Sequence, residues 1–139
     1  MTKILTATLA AGLLALGTAA QAEELLVNIH SGQPMAQGAG LVLATQAQAQ
    51  KHSVRVRLCE AAGDIALKGQ QMPALKPNNV TPQQLLQGLI KNGAKVEVCA
   101  LYLPNTGKQP SELIDGVTPA KPADVAAHLV KPGMHTLGF

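Results

Sequence analysis

The chain has 139 residues, with 11 Lys and Arg against 8 Asp and Glu, a net charge of +3, and one tyrosine and one phenylalanine as its only aromatic residues. Charges this few and this scattered form no basic patch. Binding to single strands also needs aromatic rings for stacking, so the composition argues against a nucleic-acid partner. The length is sufficient for one domain with an ordinary hydrophobic core.

The first 22 residues have the layout of a cleavable secretory signal peptide. Lys3 provides a positive start, residues 5–16 form an apolar Ala/Leu-rich run, and Ala-Gln-Ala at 20–22 has the small-x-small form that signal peptidase accepts. A transmembrane anchor is the alternative, but a spanning helix needs about 20 apolar residues and this run is shorter. We therefore expect export to a bacterial periplasm, a single mature domain at 23–139, and no membrane attachment after cleavage.

Strands and helices alternate along the mature chain. Apolar runs and two-residue alternation predict strands at 25–29, 54–58, 95–103, 116–117 and 135–139. Helical periodicity predicts helices at 35–51, 81–91 and 122–130, with short helical turns at 64–68 and 111–114 and a loop at 69–79. This order is typical of βαβ crossovers. It predicts an α/β fold: a three-layer sandwich around a mostly parallel, five-stranded, flavodoxin-like sheet.

Two helices carry more specific expectations. The helix at 35–51 has a stripe that is expected to face the sheet and to lie close to it, made of Ala36, Gly40, Leu43 and Ala47. The second helix has a well-defined start, because Thr81 is a good N-cap and Pro82 suits the first helical position. Gln84 completes the pattern of a capping box.

The strand at 54–58 contains two charged positions on one face. Arg55 and Arg57 alternate with valine and leucine, which is the pattern of a half-buried strand. Two arginines fit poorly in the middle of a parallel sheet that is covered on both faces. We therefore predict an edge strand, or a strand that faces a subunit interface.

The residues that could carry chemistry lie near the carboxyl ends of predicted strands, where open α/β sheets place their sites. Cys59 ends one strand, Cys99 belongs to another, and His30 follows the first. Both cysteines of the chain are in this set, which suggests a thiol site. His30 could assist Cys99 as a base or an orienting group, or it could be a loop histidine that is exposed to water.

The segment at 92–102, Asn-Gly-Ala-Lys-Val-Glu-Val-Cys-Ala-Leu-Tyr, is followed by Glu-Leu-Ile-Asp-Gly-Val at 112–117. These motifs resemble the DsrE/DsrF-like family, small α/β proteins linked to sulfur metabolism. The first strand and helix, at 26–51, fit the same layout. Some members of the family have a second cysteine where this chain has Tyr102.

The resemblance implies a DsrE-like fold and a homo-oligomer, a trimer or a hexamer. It also implies that Cys99 accepts sulfur as a persulfide and hands it on. Cys59, the other cysteine near a strand end, is a candidate partner thiol. A sulfur donor or acceptor protein would then be a partner. The activity would be at most that of a sulfurtransferase-type carrier, without an organic cofactor.

The redox state of the cysteine pair has two readings. Exported proteins with an even number of cysteines usually pair them, and closing this 40-residue loop would stabilise the fold by roughly 4 kcal/mol. Neighbouring strands, about 4.8 Å apart, permit a bridge, whereas an intervening strand does not. If Cys59 ends an edge strand, a flavodoxin-like order places the first strand between the two cysteines, which favours free thiols. The alternative function is a non-catalytic oligomeric binding or assembly module with a structural cysteine pair.

Other ligand chemistry has weaker signals in this sequence. His30, His135, Met35 and Met134 are side chains of the kind that bind soft metals such as copper. No tight His-x-x-His or Cys-x-x-Cys spacing occurs, so no metal site is predicted. The glycines at 38–40 lack the third glycine of a dinucleotide fingerprint and fall inside a predicted helix, so no dinucleotide cofactor is predicted either.

Overall fold

The computed structural model describes residues 22–139. The predicted signal peptide, apart from its last residue, lies outside the described residues. Within 22–139, no helix combines the length and the apolar character that a membrane span requires.

The described chain forms five strands and four α-helices. The strands are β1 (Glu24–Ile29), β2 (Ser53–Leu58), β3 (Lys95–Val98), β4 (Val117–Pro119) and β5 (Met134–Gly138). The helices are α1 (Pro34–Ala49), α2 (Pro82–Lys91), α3 (Tyr102–Thr106) and α4 (Pro122–Leu129). Two 3₁₀ helices, Glu60–Ala66 and Pro110–Glu112, occupy the connections that follow β2 and α3.

All neighbouring strands are parallel, in the order β4-β3-β2-β1-β5. The predicted α/β class and five-stranded sheet are therefore confirmed. The prediction that the arginine-containing strand lies at an edge is wrong, because β2 is the central strand, between β1 and β3. The arginines are tolerated there because each has a polar partner on a neighbouring strand: Arg55 binds Glu97 of β3, and Arg57 binds Asn28 of β1.

One face of the sheet forms the main core. The buried strand side chains on this face include Val27, Ile29, Val56, Leu58, Val96 and Val98. They belong to one cluster with Leu41 and Ala44 of α1 and Leu86 and Leu89 of α2. Helix α2 begins as predicted, since Thr81 and Gln84 form the capping box.

Helix α1 faces the sheet with a different stripe from the predicted one. Leu43 is 48% exposed, whereas Leu41 is fully buried. Gly40 does face the sheet: a Cβ built there would meet Ile29 Cδ1 at 3.2 Å. The close approach of the helix was therefore predicted correctly, but its rotation was not.

The opposite face of the sheet is unusually polar. In the strand register, Arg57 lies opposite Asn28 on one side and Glu97 on the other. Helix α4 covers part of this face with Val125, which is buried. This face and helix α4 border the candidate site.

Strand β3 is shorter than the sequence predicted. The predicted strand ran to residue 103, but the observed strand ends at Val98, and the chain turns so that Tyr102 N–H donates to the Cys99 carbonyl. Tyr102 and Leu103 belong to helix α3 and are buried there. Their apolar character therefore reflects burial in a helix and not the alternation of a strand.

Candidate functional site

A disulfide joins Cys59 and Cys99 at the carboxyl ends of the two neighbouring strands β2 and β3. Their Cα atoms are 5.0 Å apart, within the normal range for a bridge. The expectation of free thiols is wrong, because no strand intervenes between the two cysteines. The alternative based on the redox compartment, a paired state, is the one that the structure contains.

The backbone holds each cysteine in the sheet independently of the bridge. Cys59 N–H donates to Ile29 O at 2.9 Å, and Cys99 N–H donates to Leu58 O at 2.8 Å. The two cysteines differ in exposure: Cys59 is 8% exposed, whereas Cys99 is half-buried and lines an open cleft. A reagent in solution therefore meets Cys99 first.

A buried ion pair lies deeper on the same face of the sheet. Arg55 donates from Nε to Glu97 Oε2 at 2.8 Å, and its Nη2 lies 2.6 Å from the same oxygen. Lys95 Nζ lies 3.0 Å from the other Glu97 oxygen. Glu97 therefore neutralises part of a positive cluster while it is only 3% exposed itself.

Arg57 of β2 precedes Cys59 by two residues, so the two side chains point to the same face of the sheet. Its Nε donates to Asn28 Oδ1 at 2.8 Å, a neutral acceptor. Burial and repulsion from Arg55 lower the pKa of Arg57, and attraction to Glu97 opposes them. The Arg57 charge is therefore less well compensated than that of Arg55.

Tyr102 ties the turn after β3 to the 3₁₀ helix after Cys59. Its Oη donates to Asp64 Oδ1 at 2.6 Å, and its ring lies against the backbone of Gly63, where a side chain would collide with it. Burial and the Asp64 hydrogen bond raise the pKa of Tyr102 well above its usual value. This contact braces the segments that follow the two cysteines.

Replacing Tyr102 by Phe should remove this brace and lower the free energy of unfolding by about 1 kcal/mol.

The raised pKa of Tyr102 also makes the stability of the protein depend on pH. Its stabilisation is complete below the pKa of the unfolded tyrosine, about 10, and is lost as the pH rises through the higher folded-state value. Because the chain has one tyrosine, its ultraviolet absorbance should report phenolate only well above pH 10 while the protein stays folded. Ordinary titration of the folded protein would contradict the buried hydrogen bond.

Comparisons with known proteins concern the fold. No family model and no curated protein matches the chain. The crystal structure of the YchN protein from E. coli matches it with a TM-score of 0.69 and 22% identity, covering 84% of this chain and 100% of that one. The chain has a DsrE/YchN-like fold. A protein of unknown function from Methanobacterium thermoautotrophicum, MTH1491, matches with a TM-score of 0.60 and 13% identity over 84% of this chain and 99% of that one.

The DsrE/YchN-like sheet brings together only part of the predicted site. Cys59 and Cys99 are joined, but His30 is exposed and follows β1, which β2 separates from β3. Strands two places apart are about 10 Å from each other, so His30 lies beside the Cys59 strand and away from Cys99. A base or orienting role for His30 stays a prediction.

The soft-metal candidates are dispersed in this fold. Met134 and His135 begin β5, at the edge of the sheet opposite to the disulfide, and His135 Nε2 lies 3.6 Å from Glu23. Met35, on α1, is 80% exposed. Among residues 22–139, no three His, Cys, Asp or Glu side chains form a cluster that could hold a metal ion.

Arg57, Glu97 and helix α4 are parts of the site that sequence reasoning missed. One signal was available: Glu97 precedes Cys99 by two residues, as Arg57 precedes Cys59. Side chains two apart on a strand share a face, so both charges are expected on the cysteine face if the strands are neighbours. No pattern in the sequence indicated that α4 covers this face.

Proposed function

We propose that this protein is an exported sulfur carrier in which Cys99 receives a sulfur atom as a persulfide and passes it to another thiol. The observation that carries the proposal is the asymmetric disulfide: Cys99 lines an open cleft, whereas Cys59 is buried and does not line it. A structural disulfide needs no open cleft at one sulfur. The resemblance of residues 92–102 to the DsrE/DsrF-like family supports the same role for Cys99.

The disulfide would be the resting state that accepts sulfur. An incoming sulfur anion, of which hydrosulfide is the simplest, attacks Sγ of Cys99 and forms a new S–S bond there. The Cys59–Cys99 bond breaks, and its electron pair leaves on Cys59 Sγ, which takes a proton from water. Hydrosulfide thus loses two electrons to the disulfide, and the products are a Cys99 persulfide and a Cys59 thiol. Attack at Cys99 is favoured because Cys59 is the less accessible sulfur.

The proposed function also includes a periplasmic location and a homo-oligomeric assembly, both of which are expectations from the sequence. The signal-like segment at 1–22 supports a periplasmic protein, where the disulfide persists in an oxidising environment. The family resemblance supports a homo-oligomer, a trimer or a hexamer, and a protein that donates or accepts the sulfur. Light scattering of the mature protein tests the assembly.

Intact-mass measurement tests the sulfur-accepting step. Sodium hydrosulfide should increase the mass of the disulfide form by about 34 Da, the mass of hydrogen sulfide, and a thiol-alkylating reagent should then label Cys59 once the protein is denatured. Polysulfide should add about 32 Da per sulfur atom to the Cys59→Ser variant, in which Cys99 is a free thiol. The Cys99→Ser variant is the matched control, because its remaining thiol is the buried one, and it should gain no sulfur.

Two results would contradict this function. Equal sulfur loading of the Cys99→Ser variant would reject Cys99 as the acceptor. A disulfide that stays intact in hydrosulfide and polysulfide, with no mass added, would instead favour the binding or assembly module with a structural cysteine pair.

A further inference from the structure

A cleft of about 290 Å³ opens beside the disulfide, between helix α4 and the turn that follows β3. Cys99 and Arg57 are among the residues that line it. The rest of the lining is apolar and includes Leu101, Val125, Ala126 and Leu129. Its volume is just below the range of about 300–1,000 Å³ that holds drug-sized ligands, so it suits a smaller molecule.

Among residues 22–139, Arg57 is the only charged side chain that lines this cleft. Its hydrogen-bond partner, Asn28, is neutral, and the nearest carboxylate, Glu97, already binds Arg55 and Lys95. Arg55, Arg57 and Lys95 therefore all lie near the Glu97 carboxylate. An anion in the cleft would supply negative charge beside Arg57 and could accept charge-assisted hydrogen bonds from its guanidinium group.

We propose that this cleft binds a small organic sulfur anion, with its charged sulfur beside Arg57 and Cys99 and its short apolar body against α4. The sulfur chemistry of this ligand rests on the proposed function; the charge and the apolar body rest on the cleft alone. The class that fits is an organic hydropersulfide anion, R–S–S⁻. Bare hydrosulfide would satisfy Arg57 but leave the apolar wall of α4 without a partner.

The reaction of this ligand follows directly from its position. The terminal sulfur of R–S–S⁻ bonds to Cys99 Sγ, and the Cys59–Cys99 bond breaks with its electron pair on Cys59 Sγ. The product is a trisulfide, R–S–S–S–Cys99, with Cys59 as the thiolate. Two electrons pass from the persulfide to the disulfide, and no further oxidant is needed.

Binding of butanesulfonate to the intact disulfide form tests the cleft without any covalent step. The sulfonate provides the anionic head and the butyl chain the apolar body. In an NMR titration, the amides of Cys99, Leu101 and Ala126 should shift and saturate. Sulfate, which lacks the apolar body, and butanol, which lacks the charge, should each bind at least about ten-fold more weakly.

Variants locate the binding. Arg57→Gln should weaken butanesulfonate binding by about ten-fold or more, and Arg57→Lys should retain part of it, because it keeps the positive charge. Ala126→Leu fills the cleft from α4 and should abolish binding while Arg57 remains. Ala127→Leu is the matched control: residue 127 is exposed, lies next to Ala126 on the same helix and does not line the cleft.

Several outcomes would overturn the proposal. They are equal binding by the Arg57→Gln variant, equal binding of sulfate, and equal loss of binding in the Ala127→Leu variant. In a fourth outcome, butanesulfonate does not bind and the Ala126→Leu replacement changes the molar mass of the assembly in solution. That outcome would assign the cleft to an interface between copies of this chain. The proposed function fails separately: butanesulfonate binding without sulfur loading of Cys99 would support the anion cleft and reject the sulfur carrier.

Discussion

Replacing Glu97 by Gln is expected to lower the free energy of unfolding by about 3–5 kcal/mol, because it leaves the buried Arg55 charge without its carboxylate. Glu97 is 3% exposed and binds Arg55 through two nitrogens. Gln has nearly the same shape, so the loss would come from charge and not from a cavity. Urea denaturation at neutral pH, followed by circular dichroism, measures the change.

Two comparisons separate this effect from general damage to the sheet. Lys95→Ala removes the exposed partner of the same carboxylate, and it should cost less than about 1 kcal/mol, as for other surface pairs. The double replacement of Arg55 by Met and Glu97 by Leu should recover most of the loss, since neither charge is then buried. If Glu97→Gln costs no more than Lys95→Ala, the pair is not a buried structural charge.

Removing the disulfide is expected to lower the free energy of unfolding by roughly 4 kcal/mol, on the chain-entropy model for its 40-residue loop. Cys59→Ala, Cys99→Ala and the double variant should lose similar amounts, because each removes the same bond. The measurement is denaturation of the three variants beside the wild type, with and without a strong reductant. Losses in the single variants that add up in the double variant would show that side-chain packing dominates instead.

The effect of opening the disulfide has a consequence for the proposed carrier. The persulfide form would lack the bridge and would be less stable than the resting form by a similar amount. The strand hydrogen bonds of Cys59 and Cys99, and the Tyr102–Asp64 contact, do not depend on the bridge. They would keep the two sulfurs close to each other while the bridge is open.

Local signals in the sequence predicted local structure well. The start of α2 was predicted from Thr81, Pro82 and Gln84, because a capping box involves residues within one helical turn. The alternation of strands and helices predicted the α/β class, because only crossover connections join parallel strands. In both cases, the interactions that determine the structure act within one segment or between segments that are neighbours in the sequence.

Long-range pairing was the main source of error. Arg55 and Arg57 indicated an edge strand, because their partners, Glu97 and Asn28, are distant in sequence and their pairing was not visible. The error in strand order led directly to the expectation of free thiols. A single misplaced strand thus changed the predicted chemistry of both cysteines.

Helix α1 shows a different limit of sequence reasoning. Its alanines, glycines and glutamines differ little in hydrophobicity, so several rotations of the helix bury similar apolar surface. In the observed rotation, Gly40 lies close to Ile29 and to Phe139, which is distant from it in the sequence. The predicted extension of β3 failed for a related reason, since Tyr102 packs against Gly63 of a distant segment.

The sequence by itself determined the alternating elements, the capped start of α2, and the presence of two cysteines near strand ends. These features depend on backbone preferences and short-range periodicity. The tertiary structure decided that the cysteines are paired, that Arg57 lies in a cleft beside Cys99, and that Glu97 is committed to other cations. The reason is physical: strand order sets which side chains are about 5 Å apart, and it follows from the packing of the whole sheet.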